Sequence, residues 1–334
     1  MKPLVVTLGD PAGIGPEIVA KAWRRRENEK LMPFFAVGSV ASLKAASDIP
    51  VKVIHHPDEA LRYFDQALPL FEIPSLAEVR LGQPDQAGAQ VTFSALEVGV
   101  KMALHESASA LVTAPVSKEH LYKVGFTFPG QTEFVADRCG IAPDQTVMML
   151  AGPDLRTVPL TIHIPYKDVP SALTLDLIIS RARVTAEGLR YNFGIQSPRL
   201  VIAGLNPHAG ENGAIGREEI EIIRPAVKQL QSEGIDIQGP FAADTLFNPR
   251  ARAGYDAALC PTHDQALIPI KTINFDNGVN TTLGLPIIRT SPDHGTAFAL
   301  AGKDKADEGA MVAALLMAAE SVHHRQAYKK IHAL

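Results

Sequence analysis

Short apolar, β-branched runs alternate with longer stretches of helical period from the first residues onward. Residues 4–8 read as a strand, 16–26 as a helix, 33–37 as a strand and 40–47 as a helix. The rhythm continues with a helix around 88–106, a strand at 110–113, a helix at 117–124 and strands near 146–150 and 157–162. Later come a long helix over 172–191, a strand at 200–203, a helix over 217–232, a strand at 257–260 and a closing helix over 308–327. Strands alternating with helices of this length predict an α/β fold with mainly parallel sheets covered on both faces. Residues 73–89, with two prolines and two glycines, read as a surface excursion rather than a linker.

Size and charge narrow the picture. At 334 residues the chain is long for one core, so two domains or one two-lobed unit are expected. Because 32 basic residues nearly balance 36 acidic ones, with no long run of like charge, a nucleic-acid or anionic-membrane partner is disfavoured. The richest apolar stretch, 310–319, is too short to span a bilayer, and the N-terminal run is too short for a signal peptide. Cys139 and Cys260 are far apart and form no CxxC pair, which suggests neither a disulfide framework nor a thiolate zinc site and fits a reducing cytoplasm.

The most informative chemical pattern is three histidines, His163, His208 and His263, each placed just after an apolar strand-like run. In parallel sheets ligands gather beyond the carboxyl ends of strands, so these imidazoles can converge on one divalent cation or remain separate loop histidines. Asp264 follows His263, where it can orient an imidazole, act as a base or cap a helix. The segment GLNPHAGENGAIGREE, 204–219, leads into a helix that can face an anion, or is a structural loop. GDPAGIGPE, 9–17, is a βα turn matching neither GxGxxG nor the P-loop. Lys271, Asn280 and Arg289 flank the turn FDNGVN, and can hold a phosphate or carboxylate or simply make surface ion pairs. Near the other end, SPDHGTAFALAGK surrounds His294 with small residues against which a flat ligand can lie.

Taken in order, GDPAGIGPE, TAPVSK, GQTEF, GLNPHAGE, DTLF, THDQALIPIK and NTTLGLPIIRTSPDHGTAFALAGK resemble the 4-hydroxythreonine-4-phosphate dehydrogenase family of pyridoxal 5'-phosphate biosynthesis, from residue 7 to about 317. The resemblance implies two α/β/α lobes around a cleft, similar to isocitrate and isopropylmalate dehydrogenases, with residues 1–130 plus 285–334 in one lobe and 131–284 in the other. The second lobe is then expected to carry the metal and dimer contacts. The resemblance further implies that His163, His208 and His263 ligate one divalent metal (zinc, cobalt or magnesium), at a homodimer interface across which one subunit lends a histidine. Gln131, Thr132, Lys271, Asn280 and Arg289 become substrate-binding candidates, and His294, Gly295 and Thr296 lie on the side of NAD or NADP. Asp264, Asp244 and Lys271 are the candidates for proton transfer.

Two positions depart from the family's commonest pattern. Gln131 stands where GHTEF has histidine, keeping hydrogen-bonding ability but losing a group that titrates near neutrality. Thr262 stands where tyrosine is frequent, a change expected to matter little.

The implied reaction is NAD(P)-dependent oxidation of the C3 alcohol of 4-phosphooxy-L-threonine to 2-amino-3-oxo-4-phosphooxybutanoate, which loses CO2 to give 3-amino-2-oxopropyl phosphate. Competing readings are a D-threonate or D-erythronate 4-phosphate dehydrogenase, a cis-dihydrodiol dehydrogenase and, from other classes, a metal-dependent phosphate-ester hydrolase, a phosphotransacetylase-like enzyme or a non-catalytic metabolite-binding protein. Two cations retained near one another favour a phosphorylated substrate over a dihydrodiol, since buried cations without an anion are costly.

Overall fold

A computed structural model describes residues 2–75 and 78–332. The chain divides into two compact units, Met1–Ile141 with Leu285–His323, and Ala142–Gly284 with His324–Leu334. The fold class is α/β, as the alternating pattern predicts.

The first unit holds β1 (Leu4–Thr7), β2 (Phe34–Gly38), β3 (Val51–Ile54), β4 (Leu68–Glu72), β5 (Leu111–Thr113) and, after the chain returns, β12 (Arg289–Pro292). Their order is β3-β4-β2-β1-β5-β12 and every pairing is parallel. Strands buried on both faces explain the continuous apolar runs LVVT and FFAVG, whose residues are all buried. The connection leaves β1 toward β2 on one side, while β5 lies on the other. This is the strand-order reversal beside which open α/β sheets bind ligands.

The unit extends to Ile141, beyond the expected border at 130. Phe134, Val135 and Ala136, from the helix Gln131–Arg138, are buried in its core with Leu121 and Phe126. Burying each large apolar side chain contributes about 1.5–3 kcal/mol, which fixes that helix to this unit.

The second unit holds β6 (Val147–Ala151), β7 (Arg156–Pro159), β8 (Arg199–Ala203), β9 (Asp236–Phe241), β10 (Ala257–Cys260) and β11 (Val279–Leu283) in the order β11-β6-β7-β10-β8-β9. The β11-β6 and β6-β7 pairs are antiparallel and the others parallel. The helix Leu175–Phe193 starts at Thr174, whose hydroxyl accepts from Leu177 N, and stops at Gly194 in the left-handed conformation. The chain's end also belongs to this unit rather than to the first. Arg325 Nε donates to Asn192 Oδ1 at 2.7 Å, and the rings of Tyr191 and Tyr328 lie 4.2 Å apart.

The single helix expected over 217–232 is instead a π-helical turn, Glu219–Ile223, followed by an α-helix, Arg224–Ser232. Pro225 lacks the N–H that would continue the first ladder, so the register changes there. Among the described residues no helix is long and apolar enough to cross a membrane.

Candidate active site

Four expected site residues follow the carboxyl ends of four neighbouring parallel strands in the second unit. His163 comes after β7, His263 after β10, His208 after β8 and Asp244 after β9. The register pairs Cys260 with Pro159, so His163 and His263 leave adjacent strands at nearly the same height. Beyond the strands, Thr161 stitches the two segments together: its backbone N and its hydroxyl both donate to Pro261 O, at 3.3 and 2.6 Å. The outcome is a pair of imidazoles with ring centroids 5.6 Å apart, inclined at 42°.

His263 opens the helix His263–Ile273, and the helix is capped by Thr262, not by Asp264. Thr262 Oγ1 accepts from Gln265 N while Gln265 Oε1 accepts from Thr262 N, a reciprocal capping box. Thr262 therefore fixes the start of the helix that presents His263. With the cap supplied by Thr262, the Asp264 carboxylate faces two other side chains. One of its oxygens lies 2.8 Å from His263 Nδ1, and the other accepts from the Tyr166 hydroxyl at 2.7 Å. The bonds from His263 and then Tyr166 hold the Asp264 carboxyl below the usual carboxylate range. Tyr166 is a site residue the sequence pattern did not single out. A carboxylate on Nδ1 makes that nitrogen the protonated one and turns the Nε2 lone pair outward, the arrangement found behind metal-ligating histidines.

His208 sits in a different kind of backbone. Residues His208, Ala209, Gly210, Glu211 and Asn212 all have φ between 42° and 79° and ψ between 2° and 53°, a left-handed turn five residues long. Four of them carry side chains, for which this conformation costs roughly 1–2 kcal/mol each. The His208 ring is exposed and its Nδ1 lies 3.2 Å from Glu211 Oε2. Gln265 also reaches this loop, donating from Nε2 to Gly204 O at 2.8 Å, so the segments bearing His208 and His263 share one hydrogen-bonded frame. Among the described residues, however, no three His, Cys, Asp or Glu side chains are grouped to hold a metal ion. The chain by itself pairs His163 with His263 and leaves His208 turned to Glu211.

The substrate candidates divide between the units. Lys271, exposed on the helix His263–Ile273, and Asn280 on β11 belong to the second unit. Among the described residues Asn280 Oδ1 is buried without a hydrogen-bond partner. Gln131, Thr132 and Arg289 belong to the first unit, at the carboxyl end of β5 and the start of β12. Gln131 opens the helix Gln131–Arg138, with Nε2 3.5 Å from Ala114 O and with Oε1 buried and lacking a hydrogen-bond partner among the described residues. Arg289 is buried, 3% exposed, and donates from Nη2 to Thr113 Oγ1 at 2.8 Å. Burial pulls its guanidinium down to about 10, with Glu133 opposing the shift, so it remains a cation at neutral pH.

Also in the first unit, GDPAGIGPE, TAPVSK and DHGTAF interlock at the carboxyl ends of β1, β5 and β12. Asp10 N donates to Pro115 O at 3.1 Å and Ile14 N to Thr296 O at 3.0 Å. A Cβ on Gly9, whose φ is +70°, would lie 2.2 Å from Pro115 O, so only glycine allows this approach. The excursion joins them through Gly82 N, which donates to Ala12 O at 2.7 Å; its residues 76 and 77 lie outside the described ones. His294 is exposed with Nδ1 3.1 Å from Gly295 O, and among the described residues no atom lies within 4 Å of where a Cβ on Gly295 would stand.

A model of the family described as pyridoxal phosphate biosynthetic protein PdxA matches residues 30–318. The chain belongs to this family. It is 75% identical over 328 residues to a 4-hydroxythreonine-4-phosphate dehydrogenase from Zymomonas mobilis, covering 98% of each chain. It is 52% identical to one from Erythrobacter litoralis over 330 residues, covering 97% of this chain and 98% of that one. The crystal structure of 4-hydroxythreonine-4-phosphate dehydrogenase from Klebsiella pneumoniae superposes with a TM-score of 0.85 at 32% identity, over 96% of this chain and 100% of that one. PdxA-family membership thus accounts for the motif order and makes the chain a dehydrogenase with a nicotinamide cofactor.

Proposed function

We propose that the chain oxidises 4-phosphooxy-L-threonine with NAD or NADP, using one divalent metal (zinc, cobalt or magnesium), and that the resulting 2-amino-3-oxo-4-phosphooxybutanoate loses CO2 to give 3-amino-2-oxopropyl phosphate. The observation that carries this reading is the His163–His263 pair with Asp264 fixed behind His263, in a chain of this family.

The donor set fits a divalent cation: two imidazoles side by side, one with its outer nitrogen turned outward by a carboxylate on Nδ1. Bound there, such a cation supplies Lewis-acid chemistry at the substrate's C3 oxygen, and a nicotinamide supplies the hydride acceptor. His163 and His263 hold the metal, and His208 completes the set across a homodimer. Support for that dimer comes from large apolar side chains left exposed in the segments that follow His163 and His208, Ile164, Tyr166 and Ile215, and from Ile268 on the helix that His263 opens.

In the first unit Arg289 binds the substrate's anionic end as a desolvated planar cation, with Gln131 and Thr132 as further substrate contacts, and in the second unit Lys271 and Asn280 are the substrate-binding residues. His294, Gly295 and Thr296 border the dinucleotide. With both oxygens of Asp264 engaged by His263 and Tyr166, Asp264 positions the imidazole, and the proton leaving the C3 hydroxyl passes to Asp244 or Lys271.

The test is NAD(P)H formation by protein stripped of metal and re-supplied with zinc, cobalt or magnesium, with D-threonate 4-phosphate run in parallel. Metal-dependent turnover of 4-phosphooxy-L-threonine is expected. Reduction only with the threonate ester would move the substrate assignment, and hydrolysis of the ester without NAD(P)H would overturn the dehydrogenase mechanism.

A further inference from the structure

The left-handed turn that begins at His208 needs something to hold it, since four L-residues there would otherwise relax to the right-handed or extended regions. Beneath it lies Glu219, 1% exposed, at the head of the π-helical turn. One carboxylate oxygen accepts from Asn206 N at 2.7 Å, and the other accepts from Asn206 Nδ2 at 3.0 Å. Asn206 Nδ2 also donates to Glu218 Oε2 at 2.7 Å. The carboxylate is so close under the turn that a Cβ on Gly210, at φ +79°, would stand 2.6 Å from Glu219 Oε2. Neutral amides thus occupy the position a cation usually takes beside a buried carboxylate.

We propose that Glu219 is a positioning residue: its buried carboxylate clasps Asn206 and holds residues 208–212 in the left-handed turn, thereby setting where the His208 imidazole stands. Two features favour this over a purely structural role. Strained backbone persists only where its surroundings over-determine it, and it concentrates at functional sites. The π-helical turn that aims Glu219 inward is itself a device enriched at such sites. The proposal rests on His208 being a ligand, as proposed above, only for its catalytic consequence; the clasp itself consists of contacts within the protein alone.

The experiment compares full-length Glu219→Ala, Glu219→Gln and His208→Ala with the wild type by three readouts: amide hydrogen exchange of the metal-free protein, zinc titration, and kcat with KM for the dinucleotide. In Glu219→Ala, amides of 206–215 are expected to exchange at least about tenfold faster while those of β8 and β10 stay unchanged. Zinc affinity should fall by about 10–100-fold and kcat should fall with it, leaving KM for the dinucleotide unaltered. Glu219→Gln should lie between, because its amide oxygen still accepts from Asn206 N while its NH2 confronts Asn206 Nδ2. Should Glu219→Ala not fold, Asn206→Ala, which keeps the backbone bond, carries the same comparison. Unchanged loop exchange would overturn the clasp, and faster exchange with zinc affinity and kcat intact would overturn its positioning role. If His208→Ala alone binds zinc like the wild type while Glu219→Ala loosens the loop, the ligand assignment fails and the positioning role fails with it, but the clasp stands.

Discussion

The imidazoles of His163 and His263 lie 5.6 Å apart because the strands that deliver them, β7 and β10, pair in parallel with Pro159 opposite Cys260. Their approach is set by sheet register rather than by loop chemistry. A shift of one residue would turn every side chain of one strand to the opposite face, so the pair is protected by the burial of both strands.

Asp264 is where this pair can be tuned. Asp264→Asn keeps the shape of the side chain but replaces an anionic acceptor of the His263 Nδ1 proton with a neutral amide. The tautomer and orientation of His263 then lose their support, and zinc affinity is expected to fall by about 10–100-fold, measured by competition with a chelator. Tyr166→Phe removes only the outer bond to the same carboxylate and should have a smaller effect in the same direction. Wild-type zinc binding by both variants would remove Asp264 from the metal's surroundings.

Much of this site is legible in the sequence, and the reason is the sheet. Apolar runs ending in histidine mark strand ends without any knowledge of pairing, so His163, His208 and His263 stand out. That β7, β10 and β8 are neighbours is a long-range fact no local pattern encodes. Other elements were hidden by their own residues. The helix His263–Ile273 contains Pro269, a residue that normally argues against a helix interior. Strand β9 contains Gly239 and Pro240, residues that argue against a strand interior. Tyr166 and Glu219 have no motif of their own, and only their partners, Asp264 and Asn206, give them meaning.

Gln131 offers a second test. A glutamine cannot titrate, so position 131 contributes no limb to the pH profile of kcat/KM in the natural sequence. Gln131→His restores the residue common at this place in the family and puts an imidazole at the first turn of a helix, where the helix dipole disfavours its charged form. The variant is expected to gain an inflection below the ordinary histidine value of about 6.5, with little change in stability. Superposable pH profiles for the two proteins would show that position 131 takes no part in proton transfer.

Arg289 separates stability from function most sharply. Its guanidinium is buried and its pKa is depressed to about 10, chiefly by desolvation, with Glu133 only partly offsetting the cost. A base whose folded pKa lies below its unfolded one binds fewer protons in the native state, so this group penalises folding at all pH values below about 10, and the penalty lifts as pH rises past that value. Across a pH range of about 6–9 the side chain stays a cation and should add no slope to the substrate KM. Arg289→Met fills a similar volume without a charge to desolvate but leaves Thr113 Oγ1 without its donor, so the two effects oppose each other and stability is expected to change by no more than about 1–2 kcal/mol in urea unfolding. The same variant should raise KM for the phosphorylated substrate by about 100-fold or more, since a charged hydrogen-bonded pair with the substrate contributes about 2–5 kcal/mol. A variant that is destabilised yet binds substrate normally would mean that Arg289 is retained for the fold, through Thr113, and not for the substrate.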